Sequence, residues 1–161
     1  MLEQPSLLIG PWDAAAAVAV RTVFGPGGEG VGFVRQAPRR GPAWLPWLDR
    51  RRLEVLETPD ASLVFALQRG WGWPAGWHVL DADDRHIGTL RGRFVLDGFG
   101  HFLGAIEPPD PQGRGRFLGA QGRELGHYTR LPEGTRLTFA AELEGNPFAR
   151  MLLLAAVLIA G

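Results

Sequence analysis

The sequence NPFARMLLLAAVLIAG, at residues 146–161, is the most hydrophobic stretch of the chain, and it decides the fold. Asn146 is a favoured N-cap residue and Pro147 suits the first helical position, so we predict a helix that begins here. At about 100° per residue, the large apolar side chains after Arg150 leave no polar face, which excludes an ordinary surface helix. The helix must therefore be surrounded by apolar material.

Two environments could surround this helix: the interior of the protein or a lipid bilayer. From Pro147 onward the helix would be roughly 22 Å long at about 1.5 Å per residue, whereas the hydrocarbon layer of a bilayer is about 30 Å thick. Arg150 also lies one turn into the helix, where a membrane span would place hydrocarbon. Spanning is therefore disfavoured, and we expect the helix to be buried within the protein.

The chain before the helix shows the two-residue period of β-strands. Residues 136–143 alternate cleanly, with their large apolar side chains on one face. Residues 18–24 are rich in β-branched side chains and are also predicted to form a strand. Similar short runs, broken by Gly, Pro and Asp clusters, occupy residues 53–57, 62–68, 77–81, 86–96, 99–106 and 115–118. This spacing predicts an antiparallel β-sheet.

A weak internal repeat supports this interpretation. Residues 27–33, 83–89 and 121–127 each read as a tight turn, an apolar residue, a glycine and the start of a new strand. A glycine inside a strand marks a bulge or a close approach of another backbone. A sheet that bends at several such points tends to curl. The alternative is that turns in a Gly-rich chain look alike by chance.

Three segments carry a family resemblance: LVFALQR at residues 63–69, WHVLDADDRHIGTL at 77–90 and NPFARMLLL at 146–154. Together they resemble bacterial members of the scramblase-like superfamily, which also includes the tubby C-terminal domain and the LURP-one-related proteins. The resemblance covers about residues 20–160 and implies a mainly β fold, a closed antiparallel β-barrel wrapped around a central hydrophobic C-terminal α-helix. Residues 1–161 would then form a single domain.

The sequence departs from the family pattern in two respects. Asp84 stands where the family usually has a turn glycine, and an aspartate tolerates that position because it can adopt the left-handed conformation. Tubby proteins bind phosphoinositide head groups through basic residues that have no counterpart in this chain. The resemblance therefore does not imply that site.

Composition excludes several classes of function. The chain has no cysteine, which removes thiolate chemistry, cysteine-based zinc sites and disulfide bonds. Its formal net charge is zero, so it lacks the basic field that non-specific nucleic-acid binding requires, and no nucleic-acid partner is predicted. The first twenty residues contain Glu3 and Asp13 but no basic residue, unlike a signal peptide. We therefore expect a cytoplasmic protein, with association to a membrane surface.

Two motifs imitate ligand-binding loops. Residues 25–30 fit G-x-G-x-x-G, but strand-like residues follow them instead of a helix, so we predict a hairpin and no nucleotide cofactor. Asp81, Asp83 and Asp84 resemble the start of a calcium loop. However, the twelfth position of that loop holds a glycine in place of the bidentate carboxylate, which makes this a weak calcium candidate. An Asp-rich turn is the favoured interpretation, and no metal is predicted.

The chain offers no credible catalytic constellation. His78, His86, His101 and His127 show no H-x-x-x-H spacing and are interpreted as isolated strand histidines, although a site built from distant strands stays open. Neither serine lies in G-x-S-x-G. We therefore predict a protein that is not an enzyme.

One surface segment stands out, at residues 39–52, where five arginines flank two tryptophans among prolines. Its candidate lipid-binding residues are Arg39, Arg40, Trp44, Trp47, Arg50, Arg51 and Arg52. This composition suits an anionic phospholipid surface, because tryptophan favours the head-group level and arginine pairs with phosphate. The same composition also stacks on single-stranded nucleic acid. The plainer alternative is a loop whose tryptophans cap a barrel end, and nearby Trp71, Trp73 and Trp77 suit either role.

These observations lead to one functional hypothesis and two alternatives. The leading hypothesis is a non-enzymatic barrel that binds lipid or a membrane surface peripherally. The first alternative is an intracellular structural or protein-interaction module without a ligand, and the sequence identifies no protein partner. The second is an enzyme that uses histidine and aspartate residues from neighbouring strands.

Overall fold

The computed structural model describes residues 1–13, 18–37, 52–70 and 76–160. Within them, twelve β-strands precede one α-helix. The strands are β1 (Ser6–Ile9), β2 (Val20–Phe24), β3 (Gly30–Gln36), β4 (Arg52–Glu57), β5 (Ser62–Arg69), β6 (Trp77–Asp81), β7 (His86–Arg91), β8 (Phe94–Asp97), β9 (Phe102–Ile106), β10 (Arg114–Gly119), β11 (Glu124–Leu131) and β12 (Gly134–Phe139). The helix is α1 (Pro147–Ala160).

Every strand pairs antiparallel with the strand that follows it in the chain, and β1 pairs with β12 to close the sheet into a barrel. Closure leaves no unpaired sheet edge, since each strand has hydrogen-bonded neighbours on both sides. The prediction of a closed antiparallel β-barrel with a C-terminal helix is confirmed.

The barrel has two ends, which differ in the way strands are connected. We call one end the lower rim; there, tight turns join β2 to β3, β4 to β5, β6 to β7, β8 to β9 and β10 to β11. The other end, the upper rim, carries the remaining connections. Three of these connections contain residues 14–17, 38–51 and 71–75, which lie outside the described residues. The longest connections between strands are therefore at the upper rim.

The predicted repeat corresponds to bulged hairpins at the lower rim. The register shifts by one residue between Val23 and Phe24, between Val79 and Leu80, and between Phe117 and Leu118. Each shift lies opposite the apolar residue of one repeat, and the glycine that follows comes close to a neighbouring backbone. At Gly126, for instance, a Cβ would lie 2.5 Å from the Thr138 carbonyl oxygen. The predicted bulges and close approaches are both confirmed.

Aspartates organise several of the connecting turns. The Oδ1 atoms of Asp81 and Asp97 each accept backbone N–H bonds from the residues two and four positions later, at 2.8–2.9 Å. The turn after Asp97 also includes Gly100 with a φ of +84°. As a result, β9 begins at Phe102, three residues later than the predicted run at 99–106.

Two other predicted runs are corrected by the structure. Residues 86–96 form two strands because the chain reverses at Gly92, which has a φ of +58°. Residues 136–143 were expected to be one strand, but β12 ends at Phe139 and residues 141–143 form a 3-10 turn. That turn redirects the chain from the sheet towards α1 while Leu143 stays buried.

The helix and the barrel share one hydrophobic core. Ala149 donates its backbone N–H to Asn146 Oδ1 at 3.0 Å, which confirms the predicted N-cap. Every helix residue from Leu152 to Leu158 is buried, in one cluster with inward side chains such as Val34, Phe65 and Leu137. No helix in the described part of the chain is long and apolar enough to cross a membrane.

Candidate functional site

The upper rim combines the end of α1 with an apolar cavity. Arg130 donates from Nη2 to the carbonyl oxygen of Ala160 at 2.6 Å, which places the helix end beside the last turn of the sheet. A cavity of about 300 Å³ lies nearby. It is lined by Trp12, Ala19, Gln36, Leu53, Trp77, Leu158 and Ile159. Trp77 belongs to the set that the sequence associated with a cap or a lipid-facing rim, whereas Trp12 was not predicted.

Two apolar side chains on the β1–β2 connection at this rim are open to solvent. Trp12 is 41% exposed and Val18 is 44% exposed, although both are large hydrophobic residues. Isolated exposed hydrophobic residues are common, but Trp12 lines the cavity, and Val18 directly precedes Ala19, which also lines it. The β1–β2 connection therefore places exposed apolar side chains at this rim.

A buried arginine adds positive charge to the same region. Arg21 is 7% exposed; it donates from Nε to the Gly10 carbonyl oxygen at 2.8 Å and stacks 5.4 Å above the Trp12 ring. Desolvation lowers the pKa of the Arg21 guanidinium from its ordinary value. Within the described residues, the guanidinium is therefore held by a backbone carbonyl and by a cation–π contact with Trp12.

The predicted lipid-binding residues fall mostly outside the described residues. These are Arg39, Arg40, Trp44, Trp47, Arg50 and Arg51. Their flanking strand ends, Gln36 and Arg52, both lie at the upper rim. The connection that carries the predicted segment thus leaves and re-enters the sheet on the same side as the apolar cavity.

Arg52 is described, and two carboxylates compensate its charge. Its Nη2 donates to Asp84 Oδ1 at 2.8 Å, and its Nε lies 3.5 Å from Glu54 Oε1 without forming a hydrogen bond. Glu54 also pairs with Arg35 at 2.8 Å. The Arg52 side chain is only 15% exposed. Its role in lipid binding stays a prediction, but its ion pair with Asp84 also links β4 to the β6–β7 turn.

The aspartates of the weak calcium candidate are occupied by internal contacts. Asp81 Oδ1 accepts two backbone N–H bonds, Asp84 Oδ1 pairs with Arg52, and Asp83 Oδ2 lies 3.5 Å from Arg85 Nη1. The described residues contain no group of three or more histidine, aspartate or glutamate side chains placed to hold a metal ion. These aspartates therefore organise the turn and anchor Arg52.

The structure brings two of the four histidines together. His78 Nδ1 and His86 Nε2 lie 3.5 Å apart on neighbouring strands. His101 instead lies against Asp97 at 3.3 Å, and His127 lies against Glu124 at 3.2 Å. The interpretation of His78 and His86 as isolated was wrong, because strand register and not sequence spacing decides which side chains meet.

A second cavity, of about 380 Å³, contains polar groups that bear on the enzyme alternative. Among its lining residues, Arg116 pairs with Glu107 at 2.8 Å, and His127 is bound to Glu124. These four side chains therefore form two mutual pairs along the cavity wall.

Tyr128 is buried beside this cavity and is the only tyrosine in the chain. Its hydroxyl donates to the Glu107 carbonyl oxygen at 3.2 Å. Burial raises the pKa of the phenol above its ordinary value of 10.0, and the charge of Arg130 offsets this only in part. The folded state therefore holds the phenol protonated at a pH where the unfolded chain releases its proton.

We expect ultraviolet absorbance to report this shift directly. In a pH titration of the native protein, the phenolate band should appear at higher pH than in the same protein dissolved in concentrated urea. The contribution of Tyr128 to stability is complete below pH 10 and is lost as the pH rises through the folded pKa. Identical titrations in both solvents would contradict the burial of this phenol.

Comparison with known proteins gives one structural relative. Neither protein-family models nor curated proteins match the chain. The X-ray structure of a protein from Arabidopsis thaliana is similar, with a TM-score of 0.62 and 13% sequence identity. The match covers 97% of this chain and 91% of that chain. At this identity the likeness shows the fold alone, and it extends over nearly the whole barrel.

Proposed function

We propose that this protein is a non-enzymatic, scramblase-like or tubby-like barrel that binds anionic lipid surfaces peripherally through its upper rim. The observation that carries the proposal is exposed Trp12 at an apolar cavity, with exposed Val18 on the same β1–β2 connection and the Arg21 guanidinium stacked on the Trp12 ring. Tryptophan favours the head-group region of a membrane, and arginine pairs with lipid phosphate.

The segment at residues 39–52 supplies further positive charge in this proposal. Its flanking strands place both ends of the segment at the upper rim. Each arginine near an anionic surface contributes about 1 kcal/mol of attraction, and screening acts within a Debye length of roughly 8 Å at physiological salt. Several arginines together would hold the protein at a membrane without an inserted helix.

The proposal includes a barrel that wraps around α1. At one end of the helix, Arg150 donates from Nη1 to the Leu2 carbonyl oxygen at 2.6 Å and stacks on Phe139 near the lower rim. At the other end, Ala160 accepts a bond from Arg130 at the upper rim. A helix that runs along the barrel axis would make both contacts and would be buried between them. Such a helix cannot enter lipid, which favours binding at the surface.

The test of lipid binding is co-sedimentation with vesicles. Wild-type protein should sediment with phosphatidylcholine vesicles that contain phosphatidylserine, weakly and in a salt-sensitive manner, but not with vesicles of phosphatidylcholine alone. Replacing Arg50 and Arg51 by Ser should weaken binding about thirty-fold, because two arginines contribute roughly 2 kcal/mol. Arg52 is left intact because its ion pairs connect the sheet to a turn.

A matched control removes the same charge at the opposite rim. Arg85 and Arg123 lie in lower-rim turns, and their replacement by Ser should leave vesicle binding unchanged. Trp12→Ser should weaken binding without large loss of stability, since Trp12 is half-exposed. If the double variant at Arg85 and Arg123 loses as much vesicle affinity as the double variant at Arg50 and Arg51, then only net charge matters and the upper rim has no special role.

The second candidate is a structural or protein-interaction module, and an aromatic surface on β8 and β9 favours it. Phe99 is 88% exposed and Phe102 is 49% exposed, and the Phe102 ring meets Phe94 edge-on with centroids 6.2 Å apart. Exposed aromatic residues are typical of protein interfaces. Wild-type protein that ignores anionic vesicles even at low ionic strength would make this the leading candidate.

A further inference from the structure

We propose that His78 and His86 form a binding site for a transition-metal ion, such as Zn²⁺, on the outer face of β6 and β7. This inference is independent of lipid binding. The two strands pair antiparallel, with His78 opposite Thr89 and Leu80 opposite His86. Val79 and Gly88 are buried on the inner face, whereas both histidines are exposed on the outer face. The two imidazoles and the Thr89 hydroxyl therefore share one patch of surface.

Three possible ligand atoms lie close to the separation that two ligands of one metal ion have from each other. His78 Nδ1 is 3.5 Å from His86 Nε2, His86 Nε2 is 2.9 Å from Thr89 Oγ1, and Thr89 Oγ1 is 3.5 Å from His78 Nδ1. Zinc–nitrogen bonds of about 2.0–2.1 Å in tetrahedral geometry place two ligand nitrogens about 3.4 Å apart. The histidine nitrogens already have this separation, so a metal ion can bridge them with little rearrangement.

The surrounding residues hold the two rings in place. A Cβ added to Gly70 would lie 2.7 Å from His78 Nε2, so the backbone at Gly70 packs against that side of the ring. The opposite side of the ring, with Nδ1, faces His86. The two rings meet edge-on, with centroids 5.3 Å apart and planes at 67°. Fixed orientation lowers the entropy that a bound ion must remove from its ligands.

The ligand chemistry selects borderline cations over calcium and magnesium. Neutral imidazole suits Zn²⁺, Ni²⁺ and Cu²⁺, whereas Ca²⁺ and Mg²⁺ need several oxygen ligands. The nearby carboxylates are committed elsewhere, because Asp81 accepts backbone bonds and Asp84 pairs with Arg52. Two histidines and one hydroxyl leave a coordination position for water or for a further ligand.

The experiment is a titration of the full, untagged chain with Zn²⁺, measured by isothermal titration calorimetry. We expect one Zn²⁺ per chain for the wild type, and a loss of about tenfold or more in affinity for His86→Asn and for His78→Asn. His101→Asn and His127→Asn serve as matched controls, since each of these exposed histidines lies against a single carboxylate. Both controls should bind Zn²⁺ as the wild type does.

A second measurement separates metal binding from folding. Added Zn²⁺ should raise the melting temperature of the wild type and of both controls, because a ligand that binds the native state stabilises it. The same Zn²⁺ should not raise the melting temperature of His86→Asn, whose melting temperature without metal should equal that of the wild type. The proposal is overturned if the wild type binds no more tightly than His86→Asn, or if His127→Asn loses as much affinity.

Discussion

Leu153→Asp is expected to unfold the protein. The Leu153 side chain is 1% exposed and lies in the core shared by α1 and the strands. Truncation of a buried leucine alone costs about 2.7–5 kcal/mol, and an unpaired carboxylate adds the cost of its desolvation. Together these effects approach the roughly 5–15 kcal/mol that stabilises a typical domain. Circular dichroism during thermal and urea unfolding measures the outcome.

The same helix provides a charge-matched control. Phe148 lies in the first turn of α1 and is 53% exposed, so Phe148→Asp places the same carboxylate in solvent. A negative charge near a helix N-terminus is mildly favourable. The free energy of unfolding should therefore change by less than about 1 kcal/mol. An equal loss of unfolding free energy in both variants would show that a negative charge anywhere in this helix is destabilising, whether or not it is buried.

Deletion of residues 146–161 tests the same core on a larger scale. The deletion removes buried side chains from Ala149 to Leu158, each large one of which contributes roughly 1.5–3 kcal/mol. The strand residues that cluster with the helix would lose these packing partners, and we expect no cooperative unfolding transition. A truncated chain that stays folded and cooperative would contradict the shared core and would favour a membrane tail.

The main features of the fold could be predicted because they are local in sequence. The N-cap at Asn146, the apolar helix and the two-residue period of the strands each depend on neighbouring residues. The bulged hairpins could also be predicted, since the turn, the apolar residue and the glycine of each repeat lie within seven consecutive residues. The break at Gly92 was missed because the flanking Arg91 and Arg93 carry no aspartate or proline signal. β1 (Ser6–Ile9) was not predicted, because four residues are too few for alternation to stand out.

The candidate sites depend on register, which the sequence does not encode locally. His78 and His86 are eight residues apart, and the bulge opposite Val79 and Leu80 decides that their rings meet. Arg52 and Asp84 are 32 residues apart and pair only because the strands between them lie side by side. Trp12 and Trp77 likewise line one cavity because the strands between them curve around it. Long-range pairing of this kind needs the folded sheet.

Gly88→Ala is expected to destabilise the protein strongly, because Gly88 packs directly against Leu152 of the helix. A Cβ at this position would lie 2.5 Å from Leu152 Cδ2 and 2.6 Å from the Leu96 carbonyl oxygen. Neither atom can withdraw freely, since Leu152 is buried and the carbonyl belongs to β8. Overpacking of this kind costs about 3 kcal/mol. For a domain of this size, that loss lowers the melting temperature by roughly 6–12 °C.

Two further variants show whether the helix causes this effect. Gly30→Ala is the control for the glycine substitution itself, because the nearest atom to its Cβ is Thr22 Cγ2 at 4.0 Å; its stability should stay the same or rise by up to about 1 kcal/mol. Leu152→Ala removes the side-chain atoms that crowd Gly88 and should alone cost about 2–5 kcal/mol. The double variant should lose less stability than the sum of the losses in the two single variants, since the new methyl group fills part of the space that Leu152 leaves. Strict additivity would mean that the helix does not press on β7 at Gly88.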